Sequence, residues 1–228
     1  MLIGGLQKTT LLDYPDKVAA TIFTIGCNFR CSFCHNPDIV KGIARVISND
    51  QFFKFLKARE KLIDAVCITG GEPTVHRDLP RFIKKIKKAG YLVKLDTNGT
   101  NPEMLENLIR DDLVDYVAMD IKAPWDKYSG VVCRLFDLAN FKKSVIILKK
   151  NLVDYEFRST VLPVLHTDKD IIDMAQQIKG AKKYYLQHFK SGTKLVNPNF
   201  LEQKSFTRKQ LNEIVEKIKG LFEVCEVR

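Results

Sequence analysis

Cys27, Cys31 and Cys34 place three thiols within eight residues, in the stretch CNFRCSFCHNPD from Cys27 to Asp38. The C-x3-C-x2-C spacing brings them onto one loop, and a group of thiolates suits a soft metal centre. Three chemistries fit the spacing. A structural zinc ion needs a fourth ligand to close its tetrahedron, and His35 is the nearby candidate. An iron–sulfur cluster of the [4Fe–4S] type normally takes four cysteines, so three would leave one iron open to a ligand. The third reading is a loop that holds no metal. Cys67, Cys133 and Cys225 are scattered among apolar residues and are expected to be small buried hydrophobes.

Other reactive side chains recur at similar places along the chain. GGEP (70–73) follows one apolar run and DTNG (96–99) the next; Asp120 and Lys122 close a third. Arg158 and Thr160 lie in a fourth, and Gln187 and His188 end a fifth. Each has an ordinary explanation: TNG is a turn signal, and an aspartate at a strand end often caps the following helix. Their convergence at one rim is the informative feature.

The elements that must position them alternate strand and helix. Strands are expected at 18–25, 65–69, 92–96, 116–121, 155–162 and 183–189, with 222–227 a final one. Between them lie helical signals. Ser48 and Gln51 form a capping box, Pro80 and Pro102 open helices, Thr167 caps another, and Leu211, Ile214, Val215 and Ile218 form an apolar stripe. About six strand-then-helix units imply a parallel sheet with helices outside it, either an incomplete barrel or an open sheet. In both, ligands belong at the carboxyl ends of the strands. No Pro/Ser-rich linker divides the 228 residues, so one domain over 1–228 is expected.

Composition narrows the class. A chain with 45% hydrophobic and 28% charged residues is ordinary for a globular protein. No apolar run is long enough to span a bilayer and no signal-peptide pattern opens the chain, so a cytoplasmic protein is expected. The net charge of +10 lies in short runs such as KKIKK (84–88), the pattern of solvated helix faces. Nucleic-acid binding is not expected, because no matching motif accompanies the charge. An acidic protein partner fits it equally well.

The cysteine triplet with Phe33 before its last member, followed by GGEP at the next strand end, resembles the signature of radical S-adenosylmethionine (SAM) enzymes. CNFRCSFCHNPD with LDTNG and MDIK is similar to the glycyl-radical-enzyme activases. The opening GGLQKTTLLDYPDKVAATIFTIGCNFRC most resembles the short anaerobic ribonucleoside-triphosphate reductase activating proteins. The resemblance covers essentially the whole chain.

It implies an α/β fold, an incomplete (β/α)6 TIM-like barrel. It also implies one [4Fe–4S] cluster on Cys27, Cys31 and Cys34, with SAM on the fourth iron and hydrogen abstraction from a glycine of a partner enzyme. Gly70, Gly71 and Glu72 resemble the strip that meets the methionine amino group, and Phe33 and His188 would lie near adenine. Asp120, Lys122 and Arg158 are similar to polar contacts to SAM, with Arg158 alternatively a bridge between strands. Asp96, Thr97 and Asp120 resemble a monovalent-cation site.

The implied partners are a glycyl radical enzyme, above all anaerobic ribonucleoside-triphosphate reductase, and an acidic electron donor such as flavodoxin or ferredoxin. Other readings are an activase of pyruvate formate-lyase and a small-molecule enzyme like 7-carboxy-7-deazaguanine synthase. Arg30 would tune the cluster, meet an electron donor or be simply solvated, and residues 190–199 would form a lid or partner-facing loop. The absence of cysteine between Cys34 and Cys67 implies a single cluster.

Overall fold

In the computed structural model, which describes residues 1–190 and 194–228, eight strands form one sheet in sequence order. They are β1 (Ile3–Thr10), β2 (Ala19–Thr24), β3 (Ala65–Gly70), β4 (Leu92–Thr97), β5 (Tyr116–Asp120), β6 (Asp154–Val161), β7 (Lys183–His188) and β8 (Val224–Val227). The pairings from β2 to β8 are all parallel. β1 runs antiparallel to β2 with irregular register. β1 and β8 are the two edges, so the sheet curls without closing, as expected of an incomplete barrel.

The helices are α1 (Pro37–Lys41), α2 (Asn49–Ala58), α3 (Leu79–Lys88), α4 (Pro102–Arg110), α5 (Tyr128–Val132), α6 (Leu138–Lys149), α7 (Asp168–Gln177) and α8 (Arg208–Ile218). Their starts follow local chemistry. Ser48, Thr167 and Thr207 form complete capping boxes, and Asn101 and Asp137 accept hydrogen bonds from the first turns of α4 and α6. Each such cap is worth about 1 kcal/mol.

Strand alternation separates two environments. Val66, Ile68, Val93, Leu95, Val117, Met119, Phe157 and Leu186 are fully buried in the outer core with the helices. Burying such a side chain contributes roughly 1.5–3 kcal/mol. The alternate residues face inward. At the amino-terminal end Tyr14, Ala19, Ala65 and Tyr116 make a small apolar floor, with the Tyr14 and Tyr116 rings 5.8 Å apart. Above it the inner face turns polar, through Lys94 and Asp96 of β4, Asp120 of β5, and Glu156 and Arg158 of β6. That layer lies between the floor and the carboxyl rim.

One expectation needs correction, and one strand goes beyond those expected. Ile3–Thr10 is a strand by its antiparallel pairing to β2. Cys133 is exposed. It ends α5 in left-handed backbone (φ 52°), while Val131 and Val132 take that helix's buried side. Cys67 is buried and Cys225 half-buried on the edge strand. The KKIKK run lies on α3, where Lys84, Lys85 and Lys88 are exposed, as expected of a solvated face.

Candidate active site

A cavity of about 220 Å³ opens at the carboxyl ends of the strands, far more than one water or metal ion occupies. On one side stand Cys27, Cys31 and Cys34 with Phe33, His35 and Asn36; Gly70, Gly71 and Glu72 stand on another. Asp96, Thr97, Asn98, Asp120, Lys122 and Thr160 line the rest, with Phe29, Val40 and Thr69 between. The folded chain therefore gathers residues from five strand ends that are 133 positions apart at their extremes.

The cysteine loop is held from several directions. Arg30 donates through Nη1 to the carbonyls of Cys27 and Phe29, so its guanidinium clamps the loop. The Arg30 N–H donates to Val132 O at 2.9 Å, and the Phe29 ring packs edge-on to Phe136 at 5.2 Å. Asn98 Nδ2 donates to Asn28 Oδ1 and Asn28 Nδ2 to Thr100 Oγ1, both at 2.8 Å, tying the loop to the DTNG turn. Within the expected 190–199 loop, Ser191, Gly192 and Thr193 lie outside the described residues. Beyond them the Val196 N–H donates to Cys34 O and the Asn197 N–H to Ser32 O, each at 3.0 Å.

The GGEP strip is zipped to the end of β2. The Gly71 N–H donates to Thr24 O and the Glu72 N–H to Gly26 O, both at 2.8 Å. Gly70 has φ +112°, and a Cβ on Gly71 would lie 1.8 Å from Gly26 O. The glycines are thus required by the approach of one chain to another. Glu72 is 1% exposed and accepts four hydrogen bonds, from Thr74 N–H, Thr74 Oγ1–H, Thr97 Oγ1–H and Asn98 N–H. Burial pushes its carboxyl above the usual range against the pull of these donors. Its carboxylate anchors the DTNG turn.

A line of charges crosses the inner face. Lys94 Nζ donates to Asp96 Oδ1, and Arg158 donates to Asp96 Oδ2 at 3.2 Å. Arg158 also holds Asp120 Oδ1 through Nε (3.2 Å) and Nη2 (3.1 Å), and Lys122 Nζ meets Asp120 Oδ2 at 3.0 Å. Burial alone would raise Asp120, but Lys122 and Arg158 overcome it and hold the carboxyl at about 2. Burial opposes the charge on Lys122 as well, and Asp120 outweighs it, so its ammonium is held above the usual range. Arg158 thus bridges three strands and stands behind the cavity lining.

His188 is also absent from that lining; its Nδ1 lies 3.1 Å from Phe206 O. His166, which the sequence did not single out, supports the site from behind. Its Nδ1 accepts from the Leu162 N–H at 3.1 Å, so Nε2 carries the proton and donates to Lys122 O at 2.8 Å. Tyr128 hydroxyl accepts from the Lys122 N–H at 3.2 Å. Asn28 and Lys94 were also not singled out, although Asn28 lies within C-x3-C; Asn98 stands at the strand end where DTNG placed it.

Burial pushes Cys27 up to about 11 and Cys31 up to about 12. Such thiols ionise only beside strong positive charge, which a bound metal centre supplies. Among the described residues no three His, Cys, Asp or Glu side chains converge on a point suited to one metal ion. His35 lies stacked on Phe189, ring centroids 5.3 Å apart. Three cysteines around open space, facing a small-residue strip, fit a cluster with one open iron better than a closed zinc site.

A family model described as the Radical SAM superfamily matches residues 21–178. A Methanocaldococcus jannaschii protein assigned as a glycyl-radical enzyme activating enzyme is 37% identical over 196 residues, 82% of this chain and 80% of that one. The pyruvate formate-lyase-activating enzyme of Listeria monocytogenes is 34% identical over 131 residues, 53% of this chain and 52% of its own. In fold, SuiB of Streptococcus suis bound to S-adenosylmethionine superposes with a TM-score of 0.66 at 12% identity. That match covers 89% of this chain and 48% of SuiB.

Proposed function

This chain belongs to the radical SAM superfamily, among the glycyl-radical-enzyme activating enzymes, and on that premise we propose that it installs a glycyl radical on anaerobic ribonucleoside-triphosphate reductase. The observation that carries the activase chemistry is one cavity lined by the three cysteines, the Gly70–Glu72 strip and Lys122, and the reductase as partner rests on the resemblance of the opening stretch GGLQKTTLLDYPDKVAATIFTIGCNFRC.

Cys27, Cys31 and Cys34 would hold a [4Fe–4S] cluster, which would supply the electron for reductive cleavage of SAM and so the means of removing a hydrogen from the target glycine. The chain's own residues bind and orient. Gly70 and Gly71 present backbone to the methionine amino group with no side chain in the way. Lys122, fixed by Asp120, Tyr128 and His166, offers its ammonium to the methionine carboxylate. Phe33, 6% exposed, gives adenine an apolar face and helps exclude water. Glu72 and Asn98 hold the DTNG turn against the cysteine loop, so that ligand groups and cluster keep one spacing. The +10 charge favours an acidic electron donor such as flavodoxin or ferredoxin.

The likeness to the Listeria enzyme favours pyruvate formate-lyase as a second partner reading. Both are tested by incubating reduced, cluster-reconstituted protein with SAM and each candidate glycyl radical enzyme, then recording electron paramagnetic resonance. A glycyl doublet on the reductase supports the first reading and one on the lyase alone supports the second. Cleavage of SAM with no doublet on any partner would refute both.

A further inference from the structure

Asp96, Thr97 and Asp120 have the residue types expected of a monovalent-cation site, but in this chain their side chains are already engaged. Both oxygens of Asp96 are taken, Oδ1 by Lys94 and Oδ2 by Arg158. Both oxygens of Asp120 are taken, Oδ1 by Arg158 and Oδ2 by Lys122. Thr97 Oγ1 donates to Glu72 Oε1 at 2.7 Å and accepts from the Gly99 N–H at 3.1 Å. A potassium or sodium ion on these oxygens would stand against the Lys94, Arg158 and Lys122 charges already held there, so the residue set does not fit one here.

We infer that Lys94 takes the place of a monovalent cation in this chain, so that the cavity receives its anionic ligand without one. Lys94 is 1% exposed, two residues before Asp96 and on the same face of β4. That spacing turns its ammonium toward the rim, between the apolar floor and the cavity. A lysine so deeply buried must be paired, and Asp96 is the pair.

The charges along the line support the same conclusion. Three cations (Lys94, Arg158, Lys122) hold two carboxylates (Asp96, Asp120), the neighbouring Glu156 is met by Arg228, and Glu72 at the cavity accepts only from neutral donors. Lys122 carries the positive end of the line to the cavity lining, where it faces one ligand carboxylate. A further cation would have to strip hydrogen-bonded oxygens from existing partners. It would also give up its own hydration.

The inference deepens the proposed reading, because the anionic ligand in that reading is the SAM carboxylate. Its first measurement needs no SAM. Cluster-reconstituted protein is melted in potassium chloride and in tetramethylammonium chloride at one ionic strength, so that screening is equal. The expected wild-type result is the same melting temperature in both salts. For Lys94→Met, whose Asp96 has lost its ammonium, the expected result is a lower melting temperature that potassium raises and tetramethylammonium does not.

SAM affinity by calorimetry follows the same design. The wild type should differ less than about twofold between salts, whereas Lys94→Met should bind about tenfold more weakly in tetramethylammonium and recover in potassium. A wild-type melting temperature or affinity that rises specifically with potassium overturns the inference, even if the variant does not fold. A folded Lys94→Met with no potassium response overturns it too. Failure of SAM to bind in either salt, with the melting pattern as expected, instead counts against the proposed function.

Discussion

Gly71→Ala isolates the contact that joins the GGEP strip to the cysteine loop. The backbone at Gly71 is not in the left-handed region, so alanine meets no conformational penalty there. The whole cost is steric, since the added carbon would stand 1.8 Å from Gly26 O and 2.5 Å from Gly26 C. Real Cβ atoms do not approach closer than about 3.0 Å, so the two segments must part by roughly 1.2 Å. The Glu72 N–H to Gly26 O bond, now 2.8 Å, would then lie beyond hydrogen-bonding range, and the Gly71 N–H to Thr24 O bond would be strained. Two hydrogen bonds at about 1 kcal/mol each, plus about 1–3 kcal/mol of overpacking strain, give a loss of about 3–5 kcal/mol.

Urea unfolding reads that loss directly, and iron content after anaerobic reconstitution reads its consequence for the cysteine loop. Gly130→Ala is the control. Gly130 lies within α5, has no positive φ, and its added carbon meets nothing within 4 Å. That substitution should be neutral or stabilise by up to about 1 kcal/mol. A Gly71→Ala protein within about 1 kcal/mol of wild type and with normal iron would refute the reasoning.

Cys31→Ala should retain the fold but lose the iron–sulfur absorbance and all SAM cleavage; retained cleavage would overturn the ligand assignment. Glu72→Gln turns an amide N–H₂ toward groups that are all donors and removes a charge. It should destabilise by about 2–4 kcal/mol in urea unfolding, and a loss under about 1 kcal/mol would contradict the anchoring role. Asp120 is depressed in the folded state to about 2 from an ordinary 3.8. Its contribution is therefore fully present above that ordinary value and is lost as pH falls through the folded one. The difference corresponds to about 2 kcal/mol. Stability measured from pH 5 down to pH 2 should fall by about that much more in wild type than in Asp120→Asn, and parallel curves would remove Asp120 from the account.

The strand-and-helix order, the capping boxes and the cysteine, GGEP and DTNG motifs were legible in the sequence. Periodicity, caps and turn residues act over a few neighbours and need no tertiary partner. With six such units in a row, the side on which ligands bind was also legible, since parallel strands place their carboxyl ends at one rim. Tertiary structure decided which groups meet. Ile3–Thr10 becomes a strand only because β2 offers an edge. Asp96 and Asp120 read as open ligands until Lys94 and Arg158, the latter 62 and 38 residues away, are seen to claim their oxygens. Glu72 reads as part of a ligand strip until burial makes its carboxylate the anchor of another turn, and His166 shows no motif at all. In each case the deciding term is desolvation of a charged or polar group, whose compensation depends on strand register and so on residues distant in the chain.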